Sequence, residues 1–362
     1  MRKDTFLGAA LILALAALTG VALWQTAGRH AGGRVAVTRH PERIMGTTCT
    51  LAAVVNSRDT ARAEDALRRA ESVLRAVEAR MSVWLADSEI SRLNAASAAE
   101  QVPLSRDTVA VLRAARDAAD QTGGAFDATI GPLIELWKRA AERDRVPTQA
   151  ELDEARAASH WDLIELTDAG AVKRGASARV DLGGIAKGYA IDRAAQALHR
   201  AGVAGGLVDL GGDLKCFGEP PDDPHWTVEV KNPLGVTRLS RLRLAGGAVC
   251  TSGSYARFTV IEGERYSHII DPRTGRPADA APSVTVIARS ALSADIWATA
   301  LSVTGPHGFK RLPKGVEALI VAGTGEDHRI LCTDGCRPLF MDPLPRVTPA
   351  GSAPPTRAGS SP

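Results

Sequence analysis

The sequence lacks the short motifs of several common functional sites. No CxxC pair occurs, which gives little support to a zinc site. There is no GxGxxG, GxxxxGK(S/T) or GxSxG segment, so a standard dinucleotide-binding turn, a P-loop and a serine-hydrolase elbow are all disfavoured. No long Lys/Arg run is present and the formal net charge is only +3, so composition indicates no nucleic-acid partner.

What remains is the composition of a globular protein. Of 362 residues, 45% are hydrophobic and 23% are charged, which is enough apolar material for a sizeable core. Helical periodicity over 61–81 and 106–121 is followed, from residue 163 onward, by short strand-like segments and two further helices. We therefore predict one mixed α/β (α+β) body over 44–341, preceded by a linker at 29–43 and followed by a disordered Pro/Gly/Ser-rich tail at 342–362.

The N-terminus is predicted to direct the chain to a membrane. A basic start, MRKD, precedes 19 uncharged residues from Phe6 to Trp24, which would span roughly 28 Å as a helix. This length suits either a cleaved signal peptide or an uncleaved anchor, so residues 1–28 are assigned to one of the two. We expect the body to lie in the periplasm or at the extracytoplasmic face of the inner membrane. Export would permit a disulfide between Cys332 and Cys336, the alternative being a free buried pair.

The pentapeptide VDLGG occurs twice, starting at Val180 and at Val208. The first copy, VDLGGIAKGY, is typical of a strand, a glycine turn and a helix with Lys187 in its first turns. Helix N-terminal N–H groups beside glycines can bind phosphate, although ordinary strand-to-helix turns have the same pattern. Because the copies bracket one helix, we predict parallel neighbouring strands that bring both turns to one edge of a sheet.

Two other segments carry side chains suited to chemistry. In SALSADIWATAL, Asp295 and Thr299 are four residues apart and share one helix face. Their oxygens suit a hard cation such as Mg²⁺, whereas a solvated helix surface is the more common setting for such a pair. In YSHIIDPRTGRP, His268 is either a group that transfers a proton near neutral pH or a hydrogen-bonded structural side chain.

Eight segments, taken in order, resemble the ApbE family of FAD:protein FMN transferases. They are IMGTTCT, MSVWLADSEISRLN, GGAFDATIGPLIELW, VDLGGIAKGYAID, LVDLGGD, TSGSYARF, SHIIDPRTGRP and ADIWATAL. The resemblance implies a T-fold-like catalytic domain that binds FAD with Mg²⁺ on its pyrophosphate. It further implies that a Thr or Ser hydroxyl of an acceptor flavoprotein attacks the FMN-side phosphorus and that AMP leaves. Relatives accompany respiratory electron-transfer systems, which implies an acceptor of that kind.

Transferred to matching positions, the resemblance implies three sets of site residues. The FAD contacts are Met45, Trp84, Ala125, Phe126, Asp127, Asp181 and Lys187. The metal ligands are Asp295, Thr299 and the backbone oxygen of Gly184, and His268 is the candidate base for the incoming hydroxyl. Trp84 stands where many members have Tyr, and either ring can stack on a base. Ile296 and Trp297 stand where many relatives have Ala-Leu, so the packing behind the metal ligands is expected to differ.

Two alternative functions use the same residues. With water as the nucleophile, the chain would be a Mg²⁺-dependent FAD pyrophosphatase that yields FMN and AMP. Without catalysis, it would be a flavin-binding maturation factor for a respiratory complex such as nitrous-oxide reductase. The metal pair argues against a purely degenerate binder, whereas the sequence does not separate transferase from hydrolase because the acceptor hydroxyl belongs to another protein.

Overall fold

The strands and helices of the protein are defined by a computed structural model that describes residues 33–235, 238–253, 258–278, 280–323, 328–344 and 347–349. The strands are β1 (Arg34–Arg39), β2 (Cys49–Asn56), β3 (Gln101–Pro103), β4 (Ile164–Leu166), β5 (Gly170–Lys173), β6 (Gly205–Leu210), β7 (Asp213–Gly218), β8 (Trp226–Lys231), β9 (Arg238–Leu244), β10 (Gly247–Gly253), β11 (Phe258–Ile261), β12 (Glu264–Ser267), β13 (Ser283–Ala288), β14 (Glu317–Ala322), β15 (Arg329–Cys332) and β16 (Val347–Pro349). The helices are α1 (Thr60–Met81), α2 (Glu89–Ala95), α3 (Arg106–Thr122), α4 (Gly131–Glu142), α5 (Gln149–Ala157), α6 (Ala186–Arg200) and α7 (Ala291–Thr304).

Within these residues the main sheet has nine strands in the order β1-β2-β6-β7-β10-β13-β14-β15-β16. Neighbouring strands are antiparallel throughout, except that β15 and β16 are parallel. Three small sheets accompany it: β3-β5-β4, the β8–β9 hairpin and the β11–β12 hairpin. The mixed α/β class predicted from the sequence is confirmed.

Both faces of the main sheet are buried, which explains why its strands have few polar positions. In β2, Leu51 and Ala53 face a core shared with α1, α3, α6 and α7, while Ala52 and Val54 face a second core with the β8–β9 hairpin. Alternate residues of a strand point to opposite faces, so each central strand contributes to both cores. The sheet is thus covered by helices on one side and by a hairpin on the other.

Several boundary predictions change in the structure. Residues 34–39 of the predicted linker form β1 and pair antiparallel with β2, so the folded body begins before residue 44. Residues 347–349 of the predicted tail form β16. The predicted targeting segment at 1–28 lies outside the described residues, and among those described there is no helix long and apolar enough to cross a membrane. Cys332 and Cys336 are both buried and free, so the free-pair alternative describes this structure.

Candidate active site

The two VDLGG segments adopt different conformations. The second begins in β6 and makes a hairpin: Leu210 pairs with Asp213 across Gly211 and Gly212, which have φ of 67° and 95°. Positive φ at both central residues is the geometry of a tight two-residue hairpin turn, which favours glycine. The first segment leads instead into α6. The predicted parallel pair of strands is therefore wrong: β6 runs antiparallel to both neighbours, and Val180 lies outside any strand.

The first segment forms an acidic turn at the start of α6. The Asp181 amide donates to the Ala128 carbonyl oxygen at 2.8 Å, and the carboxylate Oδ1 accepts from the Gly183 amide at 2.7 Å. Burial raises the pKa of Asp181, although the hydrogen bond from Gly183 opposes this shift. The carboxylate is half-buried and is fixed beside the first glycine of the turn, which is exposed.

Helices α6 and α7 approach closely, and Asp295 lies between them. The Gly188 amide donates to Asp295 Oδ2 at 2.9 Å, and a Cβ added at Gly188 would lie 2.3 Å from the Ala291 carbonyl oxygen. Asp295 is only 4% exposed, so the alternative of a solvated helix surface is wrong. Burial raises its pKa, while the positive charge of Lys187 lowers it. A buried carboxylate of this kind calls for a cationic partner.

Thr299 and Gly184 lie next to each other across the same helix contact. A Cβ added at Gly184 would lie 2.8 Å from Thr299 Oγ1 and 3.1 Å from Phe126 Cε2. Later in α7, the hydroxyls of Ser302 and Thr304 donate to carbonyls four residues earlier. Among the described residues, Thr299 Oγ1 makes no such hydrogen bond, so its oxygen is available to a ligand. Carboxylate, hydroxyl and carbonyl oxygens are the donors that Mg²⁺ prefers, so these residues fit a hard cation.

Lys187 connects the two VDLGG turns. Its ammonium group forms an ion pair with Asp213 Oδ2, and Asp213 Oδ1 accepts from the Thr251 amide at 2.9 Å. In the same turn, Asp209 Oδ1 accepts from the Gly212 amide at 2.7 Å, and burial raises the pKa of Asp209 to about 6. The second turn therefore holds the lysine of the first and forms a wall beside it.

The turn that carries Met45 packs on this wall. Met45 has a φ of 51°, which is uncommon outside glycine, and its amide donates to Glu78 Oε1 of α1 at 2.7 Å. Ile44 and Thr47 exchange two backbone hydrogen bonds of 3.1 Å that close the turn. Thr47 Oγ1 would lie 2.1 Å from a Cβ at Gly211, so only glycine fits there. Left-handed non-glycine residues held from several sides are typical of binding sites.

The GGAFD segment lies between the candidate metal ligands and the DPRTG turn. Ala125 and Phe126 are 1% and 4% exposed, so we expect any ligand contact there to come from their backbone. Asp127 Oδ1 accepts from both the amide and the hydroxyl of Thr129 at 2.8 Å, and burial raises its pKa. The Arg273 side chain lies 3.5 Å from the position of a Cβ at Gly124, which places the DPRTG turn against this segment.

Trp84 and His268 occupy outer positions. Trp84 is 85% exposed, and the Lys138 ammonium lies 6.0 Å from the centroid of its ring. His268 is exposed and directly follows β12. The contacts described above unite Gly184, Asp295, Thr299 and Lys187 but include neither of these two side chains.

Asp192, which sequence reasoning passed over, anchors the helix that carries the proposed metal ligands. From α6, its Oδ1 and Oδ2 accept from the Ala291 and Leu292 amides at 3.0 Å each, and Oδ1 also pairs with Lys215 Nζ at 2.6 Å. A carboxylate at a helix N-terminus satisfies unpaired amides and complements the helix dipole. Its position four residues after Gly188 puts it on the glycine face of α6, which is the signal that could have identified it.

Comparisons with known proteins agree with this geometry. The ApbE family matches residues 45–320. The FAD:protein FMN transferase of Vibrio cholerae is 34% identical over 277 residues, covering 75% of this chain and 83% of that protein, and the one of Salmonella typhimurium is 30% identical over 298 residues, covering 79% and 85%. The crystal structure of the ApbE protein from Thermotoga maritima aligns with a TM-score of 0.76 at 30% identity, covering 85% of this chain and all of that one. The crystal structure of the apo flavinyl transferase ApbE of Pseudomonas stutzeri aligns with a TM-score of 0.73 at 30% identity, covering 85% of this chain and 96% of that one. The chain belongs to the ApbE family.

Proposed function

We propose that this chain is a Mg²⁺-dependent FAD:protein FMN transferase. An acceptor hydroxyl forms a bond to the FMN-side phosphorus of FAD, the bond from that phosphorus to the AMP oxygen breaks, and the hydroxyl proton passes to a base. The observation that carries the proposal is the meeting of Gly184, just before α6, with Asp295 and Thr299 of α7, where the Asp295 carboxylate is buried. The names of the relatives, FAD:protein FMN transferase, support the same chemistry.

The residues at the helix contact would hold the metal. Asp295 supplies a charged oxygen, Thr299 a hydroxyl oxygen and Gly184 a backbone oxygen. Bound Mg²⁺ would neutralise charge on the diphosphate as the leaving phosphate develops. The ion pair between Lys187 and Asp213 keeps a positive group beside this position.

The flavin nucleotide would lie along the surrounding turns. Trp84 offers an exposed ring for stacking, Met45 and the Ala125–Phe126 backbone form walls, and Asp181 offers a fixed carboxylate. His268, exposed after β12, is proposed as the base that takes the acceptor's proton. An exposed base is accessible to a hydroxyl that arrives on another protein.

The acceptor is proposed to be an exported or membrane-bound flavoprotein of a respiratory electron-transfer system. The targeting segment predicted at 1–28 supports a periplasmic or extracytoplasmic location for both partners. A fusion of the N-terminal 43 residues to a reporter enzyme that is active only after export would test the location. Reporter activity confined to the cytoplasm would contradict it.

The function is tested by following three products at once. The full-length chain is incubated with FAD, Mg²⁺ and a candidate acceptor domain, and AMP, free FMN and the intact mass of the acceptor are measured. We expect AMP to form in step with an acceptor whose mass has risen by one FMN. Free FMN and AMP with an unmodified acceptor would identify a pyrophosphatase instead, and no loss of FAD would indicate a binding protein.

Substituting Gly184 with alanine is expected to weaken metal binding while the protein stays folded. The added methyl would lie 2.8 Å from Thr299 Oγ1 and would push that hydroxyl away from the proposed ligand position. We expect the Mg²⁺ concentration for half-maximal FAD turnover to rise at least about tenfold. Gly235→Ala is the matched control, since the nearest atom there belongs to the Asn232 side chain, at 3.2 Å. An unchanged Mg²⁺ requirement in Gly184→Ala would contradict this placement of the metal.

A further inference from the structure

The backbone just before Asp181 is held by one side chain. Asn94 Nδ2 donates to the Val180 carbonyl oxygen at 2.8 Å, and the Val180 amide donates to Asn94 Oδ1 at 2.7 Å. A neighbouring β-strand would use the same pair of groups, but Val180 lies in no strand. The Asn94 carboxamide therefore replaces a strand partner at this position.

Without Asn94, two buried backbone groups would lose their partner. Val180 is 1% exposed, so water cannot readily satisfy its amide and carbonyl. The next residue is Asp181, whose own amide is bound to the Ala128 carbonyl. Three consecutive backbone hydrogen bonds thus fix the segment that presents the Asp181 carboxylate.

Lys173 in turn fixes Asn94. Its ammonium group donates to the carbonyl oxygens of Asn94 and Ala96 at 2.8 and 2.9 Å, at the C-terminal end of α2. Helix C-terminal carbonyls carry partial negative charge and lack partners within the helix, so a cation there satisfies both needs. Lys173 is 1% exposed, and among the described residues no carboxylate forms an ion pair with it. Burial lowers its pKa to about 8.

The unfavourable burial of the Lys173 ammonium group indicates that this side chain has a specific role. Burying a lysine without a carboxylate partner is unfavourable, and an apolar side chain would avoid that cost. What Lys173 provides is a fixed end for α2, and α2 connects the loop that carries Trp84 to the contact with Val180. Two proposed flavin contacts, Trp84 and Asp181, are therefore placed relative to each other through α2.

We propose that Asn94 and Lys173 are positioning residues for the flavin nucleotide: Asn94 sets the Asp181 backbone, and Lys173 acts through Asn94 by fixing the end of α2. This inference rests on the proposed function, because it assumes that FAD binds beside Asp181. Neither side chain is required to touch the nucleotide.

The test compares FAD affinity with stability in the full-length chain. Equilibrium dialysis with FAD is run in EDTA, which removes divalent cations and keeps FAD intact, at a temperature where circular dichroism shows each variant to be folded. We expect Asn94→Ala to raise the Kd for FAD about tenfold or more. Asn94→Asp should also raise it, since a carboxylate oxygen would then face the Val180 carbonyl. Asn232→Ala is the control, because that asparagine likewise accepts from a nearby amide, Leu234, at 3.0 Å, on the β8–β9 loop.

A double-mutant cycle tests the role of Lys173. If Lys173 acts through Asn94, Lys173→Met raises the Kd in the wild-type background and has no further effect in Asn94→Ala. If Lys173→Met does not fold, Lys173→Gln, which keeps hydrogen-bond donors, is used in its place. If the Kd of the double variant instead rises by the product of the two single increases, the two side chains act independently and the role given to Lys173 is wrong.

The remaining outcomes separate this inference from the proposed function. A folded Asn94→Ala variant that binds FAD as tightly as the wild type, whatever its melting temperature, would overturn the inference and leave the function standing. A wild-type chain that binds no FAD in EDTA but consumes it with Mg²⁺ would overturn the inference alone, because FAD would then be placed by the metal. A chain that neither binds FAD in EDTA nor consumes it with Mg²⁺ would overturn both.

Discussion

Replacing Asp295 with asparagine is expected to reduce Mg²⁺-dependent FMN transfer at least about a thousandfold, because charge stabilisation by a bound metal contributes several kcal/mol to such reactions. Asparagine keeps an oxygen that can accept from the Gly188 amide, now 2.9 Å from Asp295 Oδ2, so the helix contact is preserved. The measurement is the initial rate of AMP release and of acceptor flavinylation at saturating FAD.

Stability measurements provide the control for Asp295→Asn. Burial raises the pKa of Asp295, so the metal-free carboxylate opposes folding once it ionises, and its removal is expected to leave the melting temperature unchanged or higher. Wild-type protein should melt at a higher temperature when Mg²⁺ and a non-hydrolysable FAD analogue are added, and the variant should not. A folded variant with undiminished transfer would refute the metal assignment.

Replacing Gly188 with alanine is expected to remove both stability and activity. In the interior of an exposed helix this change stabilises a protein by up to about 1 kcal/mol. Here the new Cβ would lie 2.3 Å from the Ala291 oxygen and 2.8 Å from Asp295 Cβ, so α6 and α7 would have to separate. We expect the free energy of unfolding to fall by about 2 kcal/mol or more, and FAD turnover to fall with it because the contact that places Asp295 opens.

The close packing of α6 and α7 is tested by whether Gly188→Ala lowers the free energy of unfolding. Denaturant unfolding of Gly188→Ala and of the control Gly235→Ala gives the two free energies directly. Only the first substitution meets backbone atoms, and the second meets the end of one flexible side chain. A Gly188→Ala variant as stable as the wild type would show that the helices are less closely packed than described.

Local patterns predicted the parts of the site that lie within one element. The spacing of Asp295 and Thr299 fixed their common helix face, and the helices predicted over 61–81 and 106–121 are present as α1 and α3. The short strand-like segments and the two further helices predicted from residue 163 onward are also present, as β4 to β15, α6 and α7. In each case neighbours along the chain determine the conformation.

Long-range partners could not be predicted in this way. Val180 was expected in a strand because an extended, buried backbone has the same composition whether its partner is another strand or the Asn94 carboxamide. The two VDLGG segments have the same sequence, although one pair of glycines precedes a helix and the other forms a hairpin turn. The positive φ of Gly211 and Gly212, which the sequence does not reveal, distinguishes the two. The buried lysine at position 173 gave no local signal at all.

The pairing of β2 with β6 has a consequence for how the protein folds. Thr50 lies opposite Asp209, and the chain between these neighbours contains the strands β3 to β5 and the helices α1 to α6. Closing so long a loop costs entropy before the sheet contacts compensate for it, which is characteristic of slow folding. The Met45 turn and the Asp209 turn therefore come together only when this closure is complete, and no N-terminal fragment of the domain that ends before β6 contains both walls of the site.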